Sequence, residues 1–285
     1  MDASLFHLIE PAAAGLAAPG AGLLLAAAQL ERRDAPERAA CGTALMGALL
    51  LLAAAAVRVL GFGRPQLLLG ALSRPESALF WEIAFTTLAA ALTLLYAGLL
   101  ARGTDYRAAR GAVFAAAAAA LGLVIAQSAG SVMSWRAAWS TWTLVLPVLG
   151  LVLPAAAAAL GAAESFFEKL PPAASSGRGL MLRAIGVSIL LWASYPAALL
   201  LGSPQAQDAA KHLFSGSAFT WTAAAAGFGW AAPLLLSKIF ENSASSTAAR
   251  RLSGIAALLS VGAAAFITRG EILALGRAVW SFFAR

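Results

Sequence analysis

Charge is scarce in this chain. Only 12% of its 285 residues are Asp, Glu, Lys or Arg, about half the share of a soluble domain. With 61% of residues hydrophobic, that shortage excludes a soluble globular fold. Cysteine is almost missing as well. The single Cys41 rules out an internal disulfide framework and any paired-cysteine metal or iron–sulfur motif, and leaves a small packing residue in a helix. The two histidines, His7 and His212, fall outside the hydrophobic runs, so a buried bis-histidine haem would require both to fold inward. No HExxH, GxSxG or Walker sequence occurs. No cofactor or metal is therefore expected within this chain, and reaction chemistry confined to it is not expected either.

What the chain does have is hydrophobic runs recurring about every thirty residues, each long enough for the roughly 20 helical residues that a bilayer crossing needs. Alternation of period two is absent, which selects helices over a barrel. Eight spans are expected, near 9–30, 39–62, 79–101, 108–130, 139–163, 181–202, 216–237 and 252–280. The fold class is thus an all-α polytopic membrane helix bundle, a single integral-membrane domain over residues 1–285. The opening MDASLFHLIEP has no basic stretch of the secretory-signal kind, so the first span is read as retained. The longest connections, 164–180 and 238–251, carry Pro, Ser, Gly and charge, as linkers between spans do.

Orientation follows from the basic residues of alternate loops. One side holds Arg32, Arg33, Arg38, Arg102, Arg107, Arg110, Lys169, Arg178, Arg183, Lys238, Arg250 and Arg251; the other holds Arg58, Arg64, Arg74, Arg136, Lys211, Arg269, Arg277 and Arg285. Twelve against eight makes the first side cytoplasmic and places both termini in the periplasm of a bacterial inner membrane. The net charge of +7 is then topological; no basic stripe interleaved with aromatics points to nucleic acid. Trp81, Trp135, Trp139 and Trp142 suit the membrane interface.

Ionisable residues at membrane depth cost about 2.5–3.5 kcal/mol each on the insertion scale and mark candidate sites. Arg58 lies inside the outer end of the second span, Glu82 near the outer end of the third, and Arg269 with Glu271 in the middle of the last; all map to the outer half of the bilayer or close to it. Two readings of Glu82 stand side by side. A carboxylate in apolar surroundings exchanges a proton with a bound ligand, and Trp81 beside it offers a ring to stack on; alternatively Glu82 is an ion-pair partner of Arg58, Arg64 or Arg74. Gly61, Gly63 and Pro65 form a helix stop and tight turn.

The segment Glu31–Leu100 resembles the DmsC family, the membrane-anchor subunits of dimethyl sulfoxide reductase and related molybdenum enzymes, within the wider NrfD-like group. The resemblance rests on LGFGRP (Leu60–Pro65), GALSRPESAL (Gly70–Leu79) and WEI (Trp81–Ile83), with fainter support in Ser134–Pro147 and the Arg269-Gly270 pair. It implies a respiratory anchor that oxidises quinol, menaquinol in anaerobic respiration, near the periplasmic face. Electrons then pass to a four-cluster iron–sulfur subunit and on to a molybdopterin catalytic subunit. By the same resemblance, Glu82 is the proton-exchanging carboxylate, and Arg58, Gly61, Arg64, Trp81 and Arg269 surround the quinol. Gly61 departs from the family pattern, which has a histidine there; Arg58, one turn earlier, is a hydrogen-bond donor but no base. Two alternatives remain: a non-catalytic anchor that has lost the quinol site, and a small secondary transporter.

The topology is testable directly. Alkaline phosphatase fused after Arg285 is expected to be active, because that enzyme requires the periplasm; activity only of a cytoplasmic reporter at the same point would invert the arrangement.

Overall fold

The computed structural model describes residues 3–33, 35, 37–61, 70, 73–103, 106–134, 136–166, 178–241 and 245–278. Among them the regular structure is helical throughout, without a strand. Eight helical spans are long and apolar enough to cross a membrane. They are built from α1 (Ala3–Arg32), α2 (Glu37–Gly61), α3 (Ala78–Ala101), α4 (Tyr106–Ala129), α5 (Leu146–Phe166), α6 (Arg178–Leu200), the joined pair α8 (Gly216–Ala226) and α9 (Ala232–Glu241), and α10 (Thr247–Ala278). Each expected span is present, with ends shifted by a few residues. The connection read as a loop between the sixth and seventh spans contains a further short helix, α7 (Pro204–Leu213). Ser203 caps it, accepting from the Ala206 N–H, and Pro204 opens it where no intrahelical N–H is needed.

Helices in lipid gain nothing from burying one apolar side chain against another, so close backbone approach must hold the bundle together. The sequence supplies it with Gly and Ala on the facing sides. Helix α1 runs through the middle, packed on α2, α4, α5 and α10, and it shares with the fifth span the highest degree of enclosure. A Cβ added at Gly22 would stand 2.5 Å from the Ala155 Cβ of α5, and one at Gly15 would stand 3.0 Å from the Gly262 carbonyl oxygen of α10. The Ala runs that look like low complexity in the sequence are buried here: Ala116, Ala117, Ala119 and Ala120 of α4, and Ala155, Ala157, Ala158 and Ala159 of α5.

A second, smaller core closes one end of the bundle. The turn Ala137–Trp139, α6, α7 and α10 meet there around Trp139, Leu144, Tyr195, Leu199, Ala210, Leu213, Ile272 and Leu275. The indole N–H of Trp139 donates to the Ile272 carbonyl at 2.7 Å, and the Tyr195 hydroxyl donates to the Ala138 carbonyl at 2.9 Å. Trp139 is therefore a buried strut rather than the interfacial residue expected from its position. Trp81 and Trp142 do stand exposed, and Trp135 lies outside the described residues. The seventh span carries one π-helical turn, Gly227–Ala231, between α8 and α9, a wide turn that recurs at functional sites. Gly229 in that turn faces Leu151 and Ala264 without room for a side chain.

Close α1–α5 contact predicts that Gly22→Ala destabilises the purified protein by about 1–3 kcal/mol through overpacking. Gly98→Ala, where nothing lies within 4 Å of the added carbon, is expected to leave the melting temperature unchanged or slightly raised. Thermal unfolding in detergent checks both.

Candidate functional site

At the end of the bundle that carries Glu82, four charged side chains from four spans form one continuous network. Arg58 donates through Nε to Glu82 Oε2 at 2.9 Å and through Nη2 to Glu82 Oε1 at 2.7 Å. Its remaining nitrogen, Nη1, meets Glu10 Oε1 at 2.8 Å. The other oxygen of Glu10 takes Nη2 of Arg269 at 3.2 Å. That same Nη2 also reaches the Gln127 carbonyl at 2.9 Å and the Ser131 hydroxyl at 2.7 Å. Two guanidiniums and two carboxylates sum to zero, so the network enters the apolar phase as a neutral unit although Glu82 is only 4% and Arg269 2% exposed. The bidentate fork on Glu82 is the geometry in which a planar guanidinium holds a carboxylate most firmly.

The residues singled out in the sequence are thus partly assembled. Arg58, Glu82 and Arg269 belong to one network, and Glu82 sits in the ion pair with Arg58 that the sequence left as one of two readings. Both of its oxygens are engaged. Gly61 ends α2 against Ile9, whose side chain fills the space where a Cβ would be; an imidazole at that position would have to displace Ile9. Trp81 faces outward, half exposed, with Phe80 edge-on at 5.4 Å and Phe85 at 5.7 Å. Arg64 lies outside the described residues. Sequence reasoning missed Glu10, which joins the two arginines, and Ser131. The available signal was a Glu–Pro pair at the mouth of the first span; nothing local announced that it would meet a residue 259 positions away.

Arg269 and Glu271 sit two positions apart on α10 and face opposite sides. Glu271 turns away from the network toward α7 and α8. The Thr222 hydroxyl lies 3.2 Å from each of its carboxylate oxygens and 3.3 Å from the Leu213 carbonyl, but its one proton serves a single acceptor at a time. No ion pair reaches Glu271 among the described residues. It lines a cavity of about 230 Å³ together with His212, Ser217 and Trp221. On the far side of Thr222 lies a crevice of about 210 Å³ walled by Trp192, Phe214, Phe219 and Trp230. Trp192 stands edge-on to Phe214 and Trp230, at 6.3 Å and 6.0 Å, and the Trp230 indole is tied to the Ser188 hydroxyl at 3.0 Å. Leu213, Trp192, Thr268 and Glu271 together line the gap between the two spaces.

At the opposite end, Glu31 is buried and accepts from the Tyr96 hydroxyl at 2.7 Å. The nearby cavity of about 360 Å³ is lined by Glu37, Arg38 and Cys41. No group of three or more His, Cys, Asp or Glu with metal-binding geometry occurs among the described residues.

Comparison of the chain with protein-family models, with curated proteins and with solved structures finds no match. The functional reading therefore rests on the residues and their arrangement.

Removing Arg58 strands the buried Glu82 carboxylate and leaves half-exposed Glu10 to Arg269 alone, and breaking a buried pair from one side costs about 3–5 kcal/mol. Arg58→Ala is expected to show that loss in thermal unfolding, and Arg58→Lys a smaller one, since the charge survives but the fork does not. The double variant Arg58→Ala/Glu82→Ala should recover part of it.

Proposed function

We propose that this chain is the membrane-anchor subunit of a respiratory molybdoenzyme complex of the dimethyl sulfoxide reductase type. It binds a lipid-soluble quinol, menaquinol in an anaerobic chain, and passes its electrons to an iron–sulfur subunit. That partner in turn feeds a molybdopterin catalytic subunit. The resemblance of Leu60–Pro65 and Trp81–Ile83 to the DmsC family motivates the reading.

One structural observation carries it. Glu10, Arg58, Glu82, Arg269 and Glu271 all lie near the ends of their spans, and the connectivity of the helices puts those ends on one side of the bundle. The last span, expected at 252–280 with Arg269 and Glu271 in its middle, runs instead over Thr247–Leu275, which puts both in its final third. A secondary transporter places its substrate and coupling groups near the bilayer midplane, whereas a site for a quinol whose tail stays in lipid needs polar groups only at one margin. The distribution of charge fits the second arrangement.

A specific observation also favours the narrower alternative, an anchor that assembles a redox module without oxidising quinol. The carboxylate of Glu82 is committed to Arg58, and Ile9 fills the space over Gly61.

The two readings separate in one experiment. The purified protein in lipid nanodiscs is titrated with an alkyl-hydroxyquinoline N-oxide, a quinol analogue, and binding is followed by quenching of tryptophan fluorescence. Saturable binding, together with menadiol-dependent reduction of the co-purified iron–sulfur partner, is the expected result. Absence of both in an assembled complex would leave the anchor alone.

A further inference from the structure

Resting on the quinol reading above, we infer that the quinol ring docks in the aromatic crevice beside Glu271, between α6, α7, α8 and α10, and not at the Glu82 network.

Three independent features converge there. The first is an uncommitted acceptor. Glu271 is half-buried, has no ion pair among the described residues and is held by Thr222 alone, through its backbone and through a hydroxyl proton that a carbonyl competes for. A carboxylate in that state still has lone pairs to satisfy, and a hydroquinone hydroxyl is a donor of the right kind. Glu82, by contrast, spends both oxygens on Arg58.

The second feature is space of the right shape. The crevice of about 210 Å³ is walled by Trp192, Phe214, Phe219 and Trp230, with room for a flat headgroup of one or two rings against aromatic surfaces; Thr222 also lines it and separates it from Glu271, so a ring hydroxyl reaches that carboxylate by displacing the Thr222 hydroxyl. Phe214, Phe219 and Trp221 are more than half exposed on the bundle surface, so an isoprenoid tail can leave sideways into lipid. The π-helical turn at Gly227–Ala231 places Trp230 on the crevice wall.

The third feature is a way out for protons. The polar cavity of about 230 Å³ on the other side of Glu271 is lined by His212 and Ser217, and His212 belongs to α7, the short helix outside the spans. Oxidation of one bound hydroquinone breaks two O–H bonds and yields the quinone, two protons and two electrons. The electrons go to the iron–sulfur partner of the proposed complex. The protons pass in turn to the Glu271 carboxylate and from it into the cavity that His212 and Ser217 line.

The experiment uses the whole chain in nanodiscs and the same alkyl-hydroxyquinoline N-oxide. Glu271→Gln is expected to raise its Kd by roughly tenfold to a hundredfold, the size of one hydrogen bond to a charged acceptor. Ala226→Leu, which fills the crevice from α8, should abolish the fluorescence quenching. Glu82→Gln should leave the Kd within about twofold while lowering the melting temperature. Melting curves of all variants show which are folded, and Ala226→Leu keeps the test decisive if Glu271→Gln is not. An unchanged Kd in both Glu271→Gln and Ala226→Leu, or a loss confined to Glu82→Gln, overturns this location while leaving the quinol reading intact. Failure of the unaltered chain to bind the analogue overturns the quinol reading itself.

Discussion

The rest of this bundle is organised around a neutral ionic network, Glu82–Arg58–Glu10–Arg269, placed where charge is expensive. Each member alone would carry a penalty of a few kcal/mol at membrane depth. Together they cancel, and the bidentate Arg58–Glu82 contact turns a liability into a geometric clamp. Because the four residues come from the first, second, third and last spans, the clamp fixes the entry of the chain against its exit. Ser131 and the Gln127 carbonyl add the end of the fourth span. Apolar association of helices in lipid is weak and nondirectional, so a polar lock of this kind supplies the registry that Gly–Ala packing by itself leaves loose.

That lock has a consequence for chemistry. A carboxylate that holds a bundle together cannot also be a readily exchanging base, since protonating it would dissolve the contact on which the packing depends. Structural and reactive duties are better given to different carboxylates, and α10 separates them within two residues. Arg269 faces inward to the lock; Glu271 faces the opposite way, toward the small second core of Trp139, Tyr195, Leu213 and Ile272. Trp139 pins the Ile272 carbonyl next to Glu271, which sets the rotation of the helix and hence the direction in which that carboxylate points.

The amount of this that was legible in the sequence divides by range of interaction. The eight spans are set by local composition, and runs of apolar residues of sufficient length gave them to within a few residues at each end. The importance of Arg58, Glu82 and Arg269 was also visible, because a charge inside an apolar run stands out without knowledge of its partner. Their pairing was not visible. Glu10 sits at the mouth of the first span, where an acidic residue is unremarkable in isolation, and its two partners lie 48 and 259 positions along the chain. The helix α7 escaped because its 10 residues are only weakly apolar and sit between two spans; its register is fixed by contacts with Ala138 and Leu275, not by its own pattern. Trp139 was misplaced for the same reason. An indole near a span end reads as an interfacial anchor until its N–H is seen to donate to a distant carbonyl.

A single small residue, Gly61, decides how closely the first two spans approach. A histidine there would have required space that Ile9 of α1 fills, so the glycine lets the first two spans close together and brings Glu10 within reach of Arg58. Closing that gap tightens the ionic lock and removes the room in which a ring would meet Glu82. The absence of a side chain at Gly61 and the closeness of the clamp are thus one structural feature. A flat two-electron carrier, as proposed above, would need another margin of the bundle with a carboxylate outside the ionic lock, aromatic walls and an aqueous outlet. Among the described residues, those three features coincide around Glu271, where α8 widens through its π-helical turn and α7 brings His212 to the same cavity.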